Sequence, residues 1–294
     1  MSQPGTSRAD GAGWRPGIGH GREETRVFED LARHPRVAAL LDGPVMWHRV
    51  EHHEEVSSTN DLALEAVRGG EPTGVVVVAD RQLSGRGRAG RTWEDRPATT
   101  GAAGSLLCTA VVSEPEASAT LVPLAAGLAV ADAVRRQGAH PRLKWPNDVL
   151  LDGRKTAGIL VERHELGDDH VLVIGMGINT DWRGVERVGE QADWTSVAEA
   201  SGRDVDRGGL LADLLRGLAT WLRSLPSDPL RLLVTYRDAC ATIGTDVRVS
   251  FPDGDQLTGR AVDLDREGRL VVETAQGAVA VNAGDIEHLR PQEP

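Results

Sequence analysis

Short β-type runs alternate with longer stretches of helical period, and their order predicts the architecture. Strand character runs from Trp47 to Val56, through Val75-Val76-Val77-Val78-Ala79, and from Leu106 to Val112. Between the first two, Ser57-Ser58-Thr59-Asn60 offers a helix cap, Asp61 to Arg68 a short helix, and Gly69-Gly70 its stop. A largely apolar helix is expected from Ala119 to Gln137, ended by Gly138. Strands follow at Arg142 to Trp145, Val149 to Leu151, Ile159 to Arg163 and His170 to Ile178, with turns at Pro146-Asn147-Asp148, Asp152-Gly153 and Gly167-Asp168-Asp169. Two helices then close the pattern, Gly208 to Leu225 and Pro229 to Cys240.

The last fifty or so residues change character. Val247 to Phe251, Gly259 to Leu264, Arg269 to Glu273 and Ala278 to Asn282 are short strands split by Pro252-Asp253-Gly254, Glu267-Gly268 and Gln276-Gly277. This reads as a small barrel of SH3-like size. The start differs again: Met1 to Gly21 is Gly-rich and without pattern, as in disordered tails, and Arg22 to Leu41 is charged and amphipathic. Three units are therefore expected: a flexible extension over 1–42, a main domain over 43–240 and a β domain over 241–294.

Composition narrows the class. The 294 residues are 40% hydrophobic, enough for real cores, and carry a formal net charge of −11, which disfavours general nucleic-acid binding. With two cysteines, Cys108 and Cys240, neither a disulfide framework nor a zinc spacing can be built, and a reducing cytoplasm fits. The longest uncharged apolar run, Leu121 to Ala131, is too short to span a bilayer.

Against that acidic background, Gly85-Arg86-Gly87-Arg88-Ala89-Gly90-Arg91, with Trp93 close behind, is a flexible backbone bearing guanidinium forks suited to a phosphate-bearing ligand. Its glycines also match the dinucleotide register G-x-G-x-x-G. That reading fails, because Pro97 and Gly101 break the helix it requires and no carboxylate lies near position 110. A P-loop fails too, since Arg154 precedes Lys155-Thr156 where a glycine is needed. Taken alone, the stretch also fits a basic nucleic-acid loop or a solvated connection.

Other polar groups sit where strands end. Lys144-Trp145-Pro146-Asn147-Asp148 is by itself an ordinary turn, Lys155 a strand-end lysine, and Ser57 to Asn60 a helix cap. Gly175 and Gly177, inside a strand, mark a bulge or a close approach to a ligand. His48, His52 and His53 with Glu54 and Glu55 lack metal spacing, and strand alternation splits them.

Taken in order, these motifs resemble the biotin protein ligases: Ser58-Thr59-Asn60, Gln82, the glycine-arginine stretch with Trp93, Lys144 to Asp148, Lys155-x-Ala157-Gly158-Ile159-Leu160, and Gly175-x-Gly177-Ile178-Asn179. The resemblance covers roughly Val45 to the C-terminus. It implies an α+β domain related to class II aminoacyl-tRNA synthetases, its sheet mixed or antiparallel, with the SH3-like domain behind it. The implied reaction joins biotin to ATP as biotinyl-5′-adenylate and passes the acyl group to a lysine of a carboxyl carrier domain. Ser58, Thr59, Asn60 and Gln82 would hold the ureido end of biotin, with Arg86, Gly87 and Arg88 as a closing loop. Lys155 would meet the biotin carboxylate and phosphate, and Arg88, Arg91, Trp93, Lys144, Asn147 and Asn179 would serve the adenylate.

The chemistry asks for such residues. A carboxylate attacking a phosphate needs cations, here Arg88, Arg91 and Lys155, with Mg²⁺ accompanying ATP and no metal-binding residue assigned. A ureido group offers two N–H donors and one carbonyl, which Ser, Thr, Asn and Gln can meet. Asp148 is a candidate to position or deprotonate the acceptor lysine, or to bind Mg²⁺, or to hold Lys155. A loop this rich in glycine is expected to be mobile until ligand orders Gly85 to Gly90.

The chain departs from the family in places. Met1 to Gly21 cannot form the winged helix-turn-helix of repressor members and Arg22 to Leu41 is too short for it, so the resemblance is to the ligase-only type, with DNA binding not expected. Thr156 stands where an aliphatic residue is common, and Ala102-Ala103-Gly104-Ser105 matches loosely. A lipoate-type ligase and a biotin sensor without turnover are the competing readings. Homodimerisation through edge strands is compatible with the pattern.

Overall fold

The computed structural model describes residues 30–42, 46–93, 103–115, 119–251, 253–282 and 284–289. The patternless start, Met1 to Gly21, lies outside them. Among the described residues six α-helices and twelve strands follow one another as α1 Pro35–Leu41, β1 Arg49–Val56, α2 Thr59–Arg68, β2 Val75–Gln82, β3 Ser105–Ser113, α3 Val122–Arg136, β4 Pro141–Lys144, β5 Asp148–Leu151, β6 Arg154–Leu166, β7 Asp169–Asn179, α4 Val197–Ser201, α5 Arg207–Ser224, α6 Pro229–Ala239, β8 Asp246–Ser250, β9 Gln256–Leu264, β10 Leu270–Thr274, β11 Gly277–Val281 and β12 Asp285–His288.

Strands β1 to β7 form one mixed sheet in the order β1-β2-β3-β7-β6-β5-β4. Only β1 and β2 run parallel; the other neighbours are antiparallel. Both faces of its centre are covered, which explains the unbroken valine run of β2. Val76 and Val78 face the core built on α3 and α5, while Val75 and Val77 face Ala63, Leu64 and Val67 of α2. The alternation carries across the sheet, with Leu172 and Ile174 of β7 on the first side and Val171 and Val173 on the second. Helix α2 is capped by Ser58, whose hydroxyl accepts from Asp61 N–H, and covers only part of its face.

Residues 30–42, expected to belong to the flexible extension, are instead part of the core. Leu31 and Val37 are fully buried, and α1 packs on α5. Leu31 N–H donates to His52 Nδ1 at 2.9 Å, and His52 Nε2 lies 3.0 Å from Asp80 Oδ1. The burial of a few apolar side chains outweighs the charged composition that suggested a loose arm.

The C-terminal strands form an antiparallel sheet ordered β11-β10-β9-β8-β12, so the first strand pairs with both the second and the last. Trp145 joins this sheet to the main one. Its backbone N–H donates to Thr242 Oγ1 at 3.1 Å and its indole N–H to Gly268 O at 3.0 Å. Among the described residues no helix is long and apolar enough to cross a membrane.

Candidate active site

Beyond the end of α2, its face of the sheet is floored by small residues. Gly158 of β6 pairs with Gly177 of β7, and Gly175 lies two residues along on the same face. These glycines answer a question the sequence left open, bulge or close approach. A Cβ on Gly175 would strike the Asn60 carboxamide, and one on Gly177 would stand 2.6 Å from the Trp93 ring. They are seats for two side chains of the site. Trp93 lies over Gly158 and Gly177, and its buried indole N–H has no partner among the described residues.

Above this floor is a cavity of about 850 Å³. One end is lined by the uncharged polar side chains of Thr59, Asn60 and Gln82, with a carboxylate, Glu162, behind Asn60. Gln82 Oε1 accepts from Thr59 N–H at 2.7 Å and from its hydroxyl at 2.9 Å. Thr109 Oγ1 lies 2.8 Å from Thr59 Oγ1 and 2.7 Å from Asn60 Oδ1, while Asn60 Nδ2 donates to Glu162 at 2.6 Å. Every member sits on a regular element or directly at its end, so the orientation of the Asn60 amide is set from both sides.

The other end is cationic. Lys155 Nζ stands 2.8 Å from Asp148 Oδ1 and over the rings of Trp93 and Trp194, at 5.6 and 5.2 Å. Lys144 also lines the cavity, and burial holds its ammonium below the ordinary lysine range, with Asp148 opposing and Lys155 and Arg91 adding to the shift. The tight turn that delivers Lys155 is Asp152-Gly153, both at positive φ, 50° and 75°, as a two-residue hairpin between β5 and β6 requires.

The arginine loop crosses between the two ends as a short 3-10 turn over Arg88–Gly90, with no helix of the kind a dinucleotide fold needs. Its three guanidinium forks line the cavity but take different partners. Arg86 forms a two-pronged pair with Asp61 at 2.7 Å per prong, and lies 3.5 Å from Glu162. Arg91 reaches Asp285 of β12 at 2.7 Å. Arg88 donates to Asn147 Oδ1 at 3.1 Å, and burial lowers its affinity for its proton. Near carboxylates hold the two outer forks.

Of the residues singled out from sequence, Thr59, Asn60, Gln82, Arg86, Gly87, Arg88, Arg91, Trp93, Lys144, Asn147, Asp148 and Lys155 meet around this cavity. Ser58 and Asn179 do not line it. Ser58 is spent on capping α2, and Asn179 Nδ2 donates to Thr195 O at 3.0 Å, tying β7 to the loop that carries Trp194. The sequence reading did not single out Asp152, Arg154, Asp193, Trp194 and His288, which line the cavity as well. Among the described residues no three His, Cys, Asp or Glu side chains gather as metal ligands.

Fold and site together are those of the biotin and lipoate ligase class. The family described as biotin/lipoate A/B protein ligase matches residues 53–179, and the biotin protein ligase C-terminal domain matches residues 242–289. A biotin--[acetyl-CoA-carboxylase] ligase of Mycobacterium tuberculosis is 38% identical over 83% of this chain and 90% of its own. The bifunctional ligase/repressor BirA of Bacillus subtilis is 32% identical over 84% of this chain and 76% of its own. The solved biotin protein ligase of Aquifex aeolicus in complex with biotin and ATP superposes with a TM-score of 0.69 at 27% identity, over 83% of this chain and all of that one. The chain belongs to the biotin protein ligase family.

Proposed function

We propose that the chain activates biotin with ATP and passes it to a lysine of a carboxyl carrier domain, and that the cavity residues divide the work. The observation that carries this reading is one cavity joining a neutral, hydrogen-bonded end to a cationic end at Lys155. Thr59, Asn60 and Gln82 bind the ureido head, whose donors and carbonyl match an uncharged polar lining. Leu107, Leu160 and the glycine floor accept the ring and chain, leaving the carboxylate at Lys155.

In the first step a biotin carboxylate oxygen attacks the α-phosphorus of ATP, the bond to the bridging oxygen breaks and pyrophosphate leaves. Negative charges converge there, and Lys155, Lys144, Arg88 and Arg91 are the cations that offset them. In the second step the acceptor amine attacks the acyl carbon, AMP departs and the amine loses its proton. Asp148 positions Lys155, and once a phosphate competes for that ammonium the freed carboxylate is placed to take up the amine proton. Trp93 and Trp194 wall the reacting end from water. Mg²⁺ carried in with ATP would supply further positive charge at the phosphates during the displacement.

Residence in the cytoplasm, where acceptor carboxylases and ATP are found together, belongs to this proposal, as does division into a catalytic domain and a C-terminal β domain near residue 241. A homodimer paired through a sheet edge is a further outcome that solution mass measurement decides. The function is tested by incubating the protein with ATP, biotin and a carboxyl carrier domain. The expected result is one added biotinyl group on one lysine, and an unmodified carrier overturns the proposal.

A further inference from the structure

We infer that His288, on β12 of the C-terminal sheet, is a nucleotide-binding residue that presents its Nδ1–H to a phosphate oxygen of ATP. The inference rests on the ligase reading above. It starts from a hydrogen-bond chain. Thr242 is fully buried; its hydroxyl accepts from the Trp145 backbone N–H at 3.1 Å and lies 3.0 Å from His288 Nε2. A buried hydroxyl that already accepts must still place its own proton, and Nε2 is the acceptor within reach. Nε2 is therefore bare, the ring proton is on Nδ1, and the imidazole is neutral.

The surroundings agree. Burial, and then the charge of Lys144, hold the imidazole below the ordinary histidine range. Its strand neighbours are committed elsewhere, Asp285 to Arg91 and Glu287 to Arg248. Nδ1 has no hydrogen-bond partner among the described residues, and His288 lines the cavity at the end that holds Lys144, Asn147, Asp148 and Lys155. A neutral N–H among cations has one natural acceptor, an oxygen of the anion those cations collect. The C-terminal sheet thus contributes a donor to the nucleotide end, aligned through Thr242 by the same Trp145 that joins the two sheets.

The two ring nitrogens can be tested separately. An asparagine at 288 carries its amide near the Nδ1 position and a glutamine near the Nε2 position. In biotin-dependent pyrophosphate exchange, the KM for ATP is expected to rise about tenfold in His288→Ala and His288→Gln, the loss of one bond to a charged acceptor. His288→Asn is expected to stay within about threefold, and the KM for biotin within about twofold in all three. An unchanged KM for ATP in His288→Ala overturns the inference. So does rescue by glutamine but not asparagine, which would make His288 a prop for the C-terminal sheet. Thermal melting of the glutamine variant, which keeps an acceptor for Thr242, separates lost binding from lost folding. A wild-type protein that exchanges with no acid at all overturns the ligase reading instead.

Discussion

The two ends of the cavity are built in opposite ways. At the neutral end Thr59, Asn60, Gln82 and Thr109, with the Glu162 carboxylate behind them, stand on or directly at the ends of α2, β2, β3 and β6, buried or half-buried, each bonded to another. By contrast, Arg86, Arg88 and Arg91 ride on the loop that runs on to the cationic end and reach out to three separate places: Asp61 on α2, Asn147 in the β4–β5 turn and Asp285 in the C-terminal sheet. The neutral end is preorganised, so it can discriminate by leaving a wrong head group with unmatched polar partners. The loop is held by two exposed ion pairs of small net worth and one bond from Arg88 to Asn147, which an arriving polyphosphate can replace. Specificity and closure are thus assigned to different physics.

Breaking the cationic end at its fixed point has the largest expected effect. Lys155→Ala removes the ammonium between Asp148 and the two indoles and should lower biotin-dependent pyrophosphate exchange by about 10²- to 10³-fold. A fall of less than fivefold would move the charge-stabilising role elsewhere. At the neutral end, Gly175→Ala forces the Asn60 amide from its place between Thr109 and Glu162. The KM for biotin should rise about tenfold or more, with the KM for ATP within about twofold. Equal rises in both would show that the ends are not independent.

A smaller effect belongs to the loop. Arg88→Gly cuts its tie to Asn147, and release of biotinyl-adenylate should increase about fivefold, the weight of one modest hydrogen bond. Amide exchange over 85–90 should slow when biotin binds. No change in either measurement would leave the loop without a closing role.

Outside the cavity, Asp80 gives the smallest effect. Burial favours its protonated form, but the hydrogen bond to His52 and the charge and hydrogen bond of Arg207 outweigh this and hold its carboxyl below the usual range. That interaction stabilises the fold above the ordinary carboxylate pKa and is lost as pH falls through the lowered one. Asp80→Asn should lower Tm by about 3 to 6 °C at neutral pH, and by progressively less under acid. A constant difference across the acid range would contradict the assignment.

The same contrast shows what could be read from the chain. The central strands and long helices were legible because burial on two faces leaves continuous valine and leucine runs, as in Val75 to Ala79 and Leu106 to Val112. Most of the cavity was legible because its residues lie in compact motifs beside those runs. Trp194 and Asp193 were not, since they lie in or just after a short 3-10 turn within an irregular segment and reach the site only through contacts such as the bond of Arg154 to Trp194 O. His288 was hidden for another reason. Strand β12 is four residues long, and Asp285-Ile286-Glu287-His288 carries too little pattern to mark a strand, let alone one that pairs with β8 and brings His288 to the cavity. Helix α4, five residues from Val197, falls below any helical period, and its capping box of Ser196 and Glu199 was the one sequence signal for it.

The central claim is that the neutral end selects the acid that the cationic end activates. Pyrophosphate exchange into ATP, measured with biotin and separately with lipoate, tests it most directly. Exchange with biotin and none with lipoate is the predicted result. Exchange with lipoate, or with neither acid, would contradict it.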